Sequence, residues 1–260
     1  MILHDKEIAE LLSHCRKIVK EQGKYILKFW DKIGKTSYKN LRDVVTNIDV
    51  EVEEKLRNKL HGLLPEAGFI VEEGKTEKKK IYNWVIDPID GTKNYANQMP
   101  IFVSQIALVE NNGPILGLVY NPVSDQLFSA AKNQGTYLNN KKCLIKKTIL
   151  PKSAIIDVDF GGNNQFNSWK FSVLSKLTET FYRIRILGGI FTAYLTTGAI
   201  DGYVVLDNSI KQVDCLPNII IAQEAGLGVD YVIAPIGQKF LVMANHSIFP
   251  TLKQILTKNL

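Results

Sequence analysis

Trp84-Val85-Ile86-Asp87-Pro88-Ile89-Asp90-Gly91-Thr92-Lys93-Asn94-Tyr95 is the stretch from which the rest of the chain is read. Its apolar start, Trp84 to Ile86, has the character of the end of a buried strand. Asp87 and Asp90 follow on a tight turn at that strand's carboxyl end. Pro88 fixes one φ angle and Gly91 admits one that side chains disfavour. Two carboxylates held close on stiff backbone repel each other. At about 4 Å and an effective dielectric near 20, a like-charge pair costs roughly 4 kcal/mol. A hard divalent cation such as Mg²⁺ removes that cost, because it prefers oxygen ligands.

On the Asp-Pro and Asp-Gly pairs alone, a structural turn is the more economical reading. Two rival chemistries are tested by spacing. An EF-hand loop needs alternating acids and a Glu at its twelfth position, and here that position is Gln98. An aspartyl-phosphate phosphatase needs a nucleophilic Asp two residues before Asp90, and Pro88 stands there.

The full string WVIDPIDGTKNY resembles the signature of the inositol monophosphatase family of Mg²⁺-dependent, lithium-sensitive phosphatases. Upstream, Asp43-Val44-Val45-Thr46-Asn47-Ile48-Asp49 resembles the family's D-x-V-T-x-x-D segment, and Val71-Glu72-Glu73-Gly74 its G-E-E-S segment. Downstream, Gly188-Gly189 sits where the family begins a helix facing phosphate, and Val213-Asp214 where it has W-D. The resemblance runs from about residue 5 to 245. One departure stands out. The family's W-D-x-A-A-G is Val213-Asp214-Cys215-Leu216-Pro217-Asn218 here, which keeps the acid and loses the small residues that let a helix pack closely. Pro217 fits if Asp214 caps the helix, since proline is tolerated in a first turn.

The resemblance implies a layered α-β-α-β-α sandwich of the α/β (α+β) class. It implies two or three Mg²⁺ ions held by Glu72, Asp87, Asp90, Asp214 and the Ile89 carbonyl. Glu72 with Thr92 would activate water, and Asp49 would orient it. Gly91, Thr92, Gly188 and Gly189 would hold phosphate oxygens, with Asp90, Asp207 and Asp214 also facing substrate. Asp207 is one methylene shorter than the family's Glu, and an Asp207-Asn208 turn explains it equally well. The implied substrate is inositol monophosphate or a similar polyol or sugar phosphate. Relatives with the same chemistry act on fructose 1,6-bisphosphate, histidinol phosphate, NADP or adenosine bisphosphate, a nucleotide 3′-phosphate. Some bacterial members instead bind the transcription machinery, which keeps a regulatory binding protein as the second reading. A homodimer is a further implication.

The bulk properties agree with an enzyme of this size. At 260 residues the chain can bury a large core, as one large α/β domain or two joined halves; the resemblance implies halves 1–150, carrying most metal ligands, and 151–260, completing the site. A formal charge of +6 favours anionic substrates. It is compatible with nucleic acid, but no basic stripe with interleaved aromatics occurs. Lys141-Lys142 and Lys146-Lys147 read as a solvated loop. Cys15, Cys143 and Cys215 have no metal-binding spacing and point to a reducing compartment, with cytoplasm as the default. No run approaches a membrane span. His4, His14, His61 and His246 all lie away from the motifs, and no P-loop or dinucleotide fingerprint is present.

Apolar periodicity predicts helices over 4–32 and 47–64, the second opened by a Thr46–Asp49 capping box. Residues 74–80, charged and next to Glu72, are expected to form a flap. Short runs with turn residues over 103–138 predict an antiparallel meander, and beyond 150 strands alternate with helical stretches.

Overall fold

The computed structural model describes residues 2–33, 41–77, 79–111, 113–145, 148–161, 166–207 and 211–258. It is a mixed α/β structure with two sheets, as the sequence predicts, and divides into two compact units. The first comprises Met1–Lys142 with Gln212–Ile221, and the second Cys143–Lys211 with Ala222–Leu260.

The first unit opens with helices α1 (Asp5–Ile33) and α2 (Leu41–Leu63). In α1, Glu7 accepts the His4 backbone N–H at 2.8 Å, which satisfies an orphan donor at the helix start. Its stripe of Ile8, Leu11, Leu12, Cys15, Ile18, Val19 and Ile26 is buried. The stripe of α2, Ile48, Val52, Leu56 and Leu60, is buried with it. Both pack on a seven-stranded sheet: β1 (Gly68–Val71), β2 (Tyr82–Asp90), β3 (Val103–Glu110), β4 (Gly113–Asn121), β5 (Gln126–Ala131), β6 (Gly135–Leu138) and β7 (Lys141–Lys142), in that spatial order. Only the β1–β2 pair is parallel. Side chains alternate across the sheet. Trp84, Ile86, Ile106, Leu108, Leu116 and Leu118 meet the two helices. Burying each such side chain contributes roughly 1.5–3 kcal/mol.

Helix α2 corrects one expectation. It begins at Leu41, so Asp49 lies in its interior and the Thr46–Asp49 pair is no N-terminal cap. The Asp43 and Thr46 side chains fall outside the described residues.

The second unit holds a five-stranded sheet of β8 (Ile155–Asp159), β9 (Arg183–Arg185), β10 (Gly202–Val205), β11 (Gly228–Ile233) and β12 (Lys239–Ala244), ordered β11-β12-β10-β8-β9. Helices α4 (Asn167–Thr180) and α6 (Phe249–Thr257) bury Val173, Leu177, Leu252 and Leu256 against Ile156, Val158, Val204 and Val242. Trp169 stacks on Phe240 at 5.1 Å. No helix among the described residues is long and apolar enough to cross a membrane.

Candidate metal centre

The turn after β2 is built by a bulge. Asp87 pairs with Gln105, but the next registered pair is Asp90 with Val103, so β2 carries one residue more than β3 over this span. Pro88, which has no N–H for the ladder, sits in the irregularity. Bulges re-aim side chains, and this one sets the directions of Asp87 and Asp90. Gly91 then takes φ 92, a left-handed value that glycine adopts without strain, and opens the short helix α3 (Thr92–Ala96). The Thr92 hydroxyl donates to the Ile89 carbonyl at 2.9 Å and closes the turn. Tyr95 anchors it from below: it is fully buried, its hydroxyl donates to the Ile26 carbonyl at 3.0 Å, and its carbonyl accepts from Trp30 Nε1.

Glu72, Asp87 and Asp214 each bring a carboxylate oxygen to within 4.8 Å of the others. At that spacing and a dielectric near 20, each pair costs about 3 kcal/mol if all are ionised. Asp87 is 1% exposed, and neither of its oxygens meets a hydrogen-bond donor. Burial, then Asp90, Glu72 and Asp214, pushes its carboxyl well above the usual range. Asp49, also 1% exposed and without a donor, is pushed up to about 8 by burial and then by Glu73, Glu72 and Glu53. Four neighbouring acids that offer only oxygen fit a hard cation.

Asp90 is not in the three-acid cluster. Its Oδ2 accepts Gln105 Nε2 at 2.6 Å. Asp214 is carried by α5 (Gln212–Glu224), in the part that belongs to the first unit. This corrects a second expectation. The helix starts two residues before Asp214, so the acid lies in the first turn and Pro217 is interior. Proline there cannot donate the usual bond to the Val213 carbonyl. Pro217, where the resemblance expects a small residue, meets a glycine on the strand side. A Cβ on Gly117 would lie 2.4 Å from Ile220 Cγ2 and 2.7 Å from the Pro217 carbonyl oxygen. Thr136 donates to the Ile221 carbonyl at 2.6 Å and fastens the same helix to β6.

Glu53 is a residue that sequence reasoning missed. Buried on α2, it accepts N–H groups of Glu73 and Gly74 at 2.9 and 3.0 Å and so fixes the backbone beside Glu72. The segment expected as a flap is braced further. Arg57 donates to the Lys75 carbonyl and to Glu77, Glu77 N–H to Phe69, and Lys80 Nζ to the Ala67 carbonyl. Asp49 and Glu53 are one helical turn apart, and that spacing inside an apolar stripe was the available signal.

Gly188, Gly189 and Asp207 belong to the second unit. Gly188 has φ 72 and precedes a 3-10 segment, Gly189–Thr197, rather than an α-helix. Thr192 donates to the Gly189 carbonyl at 2.6 Å. Asp207 is buried just beyond β10. Asn208 and the Lys146-Lys147 pair fall outside the described residues.

Comparison with known proteins follows this geometry. A model described as the inositol monophosphatase family matches residues 7–259. A fructose-1,6-bisphosphatase/inositol-1-monophosphatase of Aquifex aeolicus is 28% identical over 253 residues, covering 93% of this chain and 94% of that one. A protein of Vibrio cholerae named Nus factor SuhB is 29% identical, covering 85% and 88%. The structure of an inositol monophosphatase from Anabaena superposes with a TM-score of 0.81 at 25% identity, covering 95% of each chain.

Proposed function

The chain belongs to the inositol monophosphatase family, and from that premise we propose that it is a Mg²⁺-dependent phosphatase acting on a small phosphate monoester, inositol monophosphate or a similar polyol or sugar phosphate. The observation that carries the reading is Asp87, buried without a donor on either oxygen and facing Glu72 and Asp214. In this reading Glu72, Asp87, Asp90, Asp214 and the Ile89 carbonyl hold two or three Mg²⁺ ions. Bound Mg²⁺ neutralises the acids, lowers the pKa of water and stabilises a leaving oxygen.

The chain's own groups supply the remaining steps. Glu72 accepts a proton from the attacking water. A P–O bond to the water oxygen forms as the P–O bond to the alcohol breaks, and the alcohol oxygen takes up a proton from a second water, whose place in the balance is restored when Glu72 returns its proton to solvent. In this reading the Thr92 hydroxyl turns its one proton from the Ile89 carbonyl to Glu72 and accepts from the water, relaying a hydrogen bond because it is too weak a base to act alone, and Asp49 orients that water. The backbone N–H groups of Gly91 and Thr92 hold phosphate oxygens, as turns and helix starts do. Asp90 and Asp214 face substrate as well as metal. For the second unit we carry the proposal residue by residue: Gly188 and Gly189 donate to phosphate, and Asp207 accepts from a substrate hydroxyl. Inhibition by Li⁺, a homodimer and a cytoplasmic location belong to the same proposal.

Phosphate release from inositol monophosphate, fructose 1,6-bisphosphate, histidinol phosphate and a nucleotide 3′-phosphate, with and without Mg²⁺, tests it. Mg²⁺-dependent release from at least one is expected; no such release from any overturns the enzyme reading. The relative named Nus factor SuhB supports a second reading, a regulatory protein acting on the transcription machinery. Binding to RNA polymerase that survives Asp87→Asn, without turnover of any ester, is the result that would favour it.

A further inference from the structure

Asn218 stands where the resemblance places a glycine. It is 2% exposed, on α5. Its Nδ2 donates to Gln105 Oε1 at 2.9 Å and to the Asp214 carbonyl at 3.2 Å. Gln105 is fully buried on β3, where it is the cross-strand partner of Asp87. Its Nε2 donates to Asp90 Oδ2 at 2.6 Å. Two side-chain amides therefore run in series from the backbone of one proposed ligand to the carboxylate of another.

The direction of the chain is determined. Turning the Gln105 amide over would set its oxygen against the Asp90 carboxylate and its NH₂ against the Asn218 NH₂. Turning Asn218 over would set oxygen against oxygen at both of its contacts. The series is thus self-consistent in one sense only, and it ends by fixing the rotation of the Asp90 carboxylate. Packing does not account for Asn218. Its Oδ1 is buried and has no donor. An unmet buried acceptor costs about 1–3 kcal/mol, which a leucine of similar size would avoid.

We infer that Gln105 and Asn218 are positioning residues for the cation site, acting as one unit that holds Asp90 in a fixed orientation relative to Asp214. The inference rests on the reading that these acids bind a divalent cation, and it deepens that reading. Partners of this kind, which contact a ligand and not the ion, typically change metal affinity by about 10–100-fold. Two residues acting through one another should also be non-additive.

The test is Mn²⁺ binding to the full chain, with free Mn²⁺ read by its EPR signal, which requires no turnover. Gln105→Leu and Asn218→Leu are each expected to weaken binding about 10–100-fold. The double variant should be no weaker than the weaker single, because the first break already cuts the chain. Asn218→Ala takes the place of Asn218→Leu if the larger side chain prevents folding, and metal-free thermal unfolding checks each variant. Wild-type affinity in both singles, or losses that multiply in the double, would overturn the inference while leaving the metal site intact. Absence of Mn²⁺ binding by the unmodified chain would overturn the site itself, and the inference with it.

Discussion

Asp201 in the second unit is nearly as buried as Asp87 in the first, 4% against 1% exposed, yet one of its two oxygens is partnered where neither of Asp87's is. Asp201 Oδ2 accepts the Ile155 N–H at 2.9 Å. Its neighbours behave likewise. Asp157 accepts the Leu187 N–H at 2.9 Å, and Asp159 accepts the Gly161 N–H at 2.8 Å and the Tyr203 hydroxyl at 3.3 Å. Asp87 and Asp49 meet no donor at all and face other acids. The titration behaviour follows. Burial, with a smaller push from Asp159, raises Asp157 to about 6 while the Leu187 N–H pulls it back, whereas Asp49 has three acid neighbours and no such donor and is taken to about 8. Buried carboxylates in the second unit brace backbone. In the first unit Glu53 does the same, whereas Asp87 and Asp49 meet no donor and face other acids, an electrostatic deficit that suits a hard cation.

The sharpest way to break this contrast is Asp87→Asn. Mg²⁺-dependent phosphate release should fall below detection, and metal-free unfolding temperature should stay equal or rise, because a repulsive charge is gone. Glu72→Gln should reduce turnover by about 10²–10⁴, the usual worth of a general base. Retained turnover in either variant would remove that acid from the site.

The pH dependence of stability comes next. Asp49 and Asp157 have folded pKa values above their unfolded ones, so between about pH 4 and 8 the folded state holds protons that the unfolded chain has released. Stability is therefore greatest at the acid end of this window and is lost as pH rises. The metal-free protein should unfold at a lower temperature at pH 8.5 than at pH 5.5, with Mg²⁺ reducing the difference. Asp49→Asn should flatten the slope above about pH 7, where Asp157 has nearly finished titrating. A stability that rises over this range would refute the deficit.

Asp201→Ala should do the reverse of Asp87→Asn: lose about 1–3 kcal/mol by stranding the Ile155 N–H, and leave phosphate release unchanged. Denaturant titration and the release assay together check it. The smallest effect expected is that of Glu53→Gln, about 1 kcal/mol, since one acceptor oxygen remains for the Glu73 and Gly74 N–H groups.

The first-unit side of this contrast was legible in the sequence; the bracing acids Asp157, Asp159 and Asp201 were not, because their partners are backbone N–H groups brought in by the fold. The turn from Asp87 to Thr92 announced itself through stiff backbone and two acids, and the α1 stripe and the 103–138 meander through their periods. The start of α2 was misjudged because T-x-x-D is also an ordinary helix interior, and the apolar period of Leu41, Val44 and Val45 already extended it upstream. Glu53 and Gln105 were not found. Glu53 lies one turn from Asp49 beside the apolar stripe, but Glu51, Glu54 and Lys55 around it give the pattern of a solvated face, and a single Gln in a strand gives no clue until the register sets it opposite Asp87. Asn218 was visible as a departure, but its bond to Gln105 spans 113 positions, which no local pattern reports.

The close seat of α5 on Gly117 bears on how such a chain can diverge. Strand and helix share one fixed allotment of space here, so any side chain on Gly117 collides unless Pro217 and Ile220 recede. Shrinking the helix alone would open a void. Change along this seam is therefore expected to proceed in matched pairs, with positions 117 and 217–220 varying together among descendants of this chain.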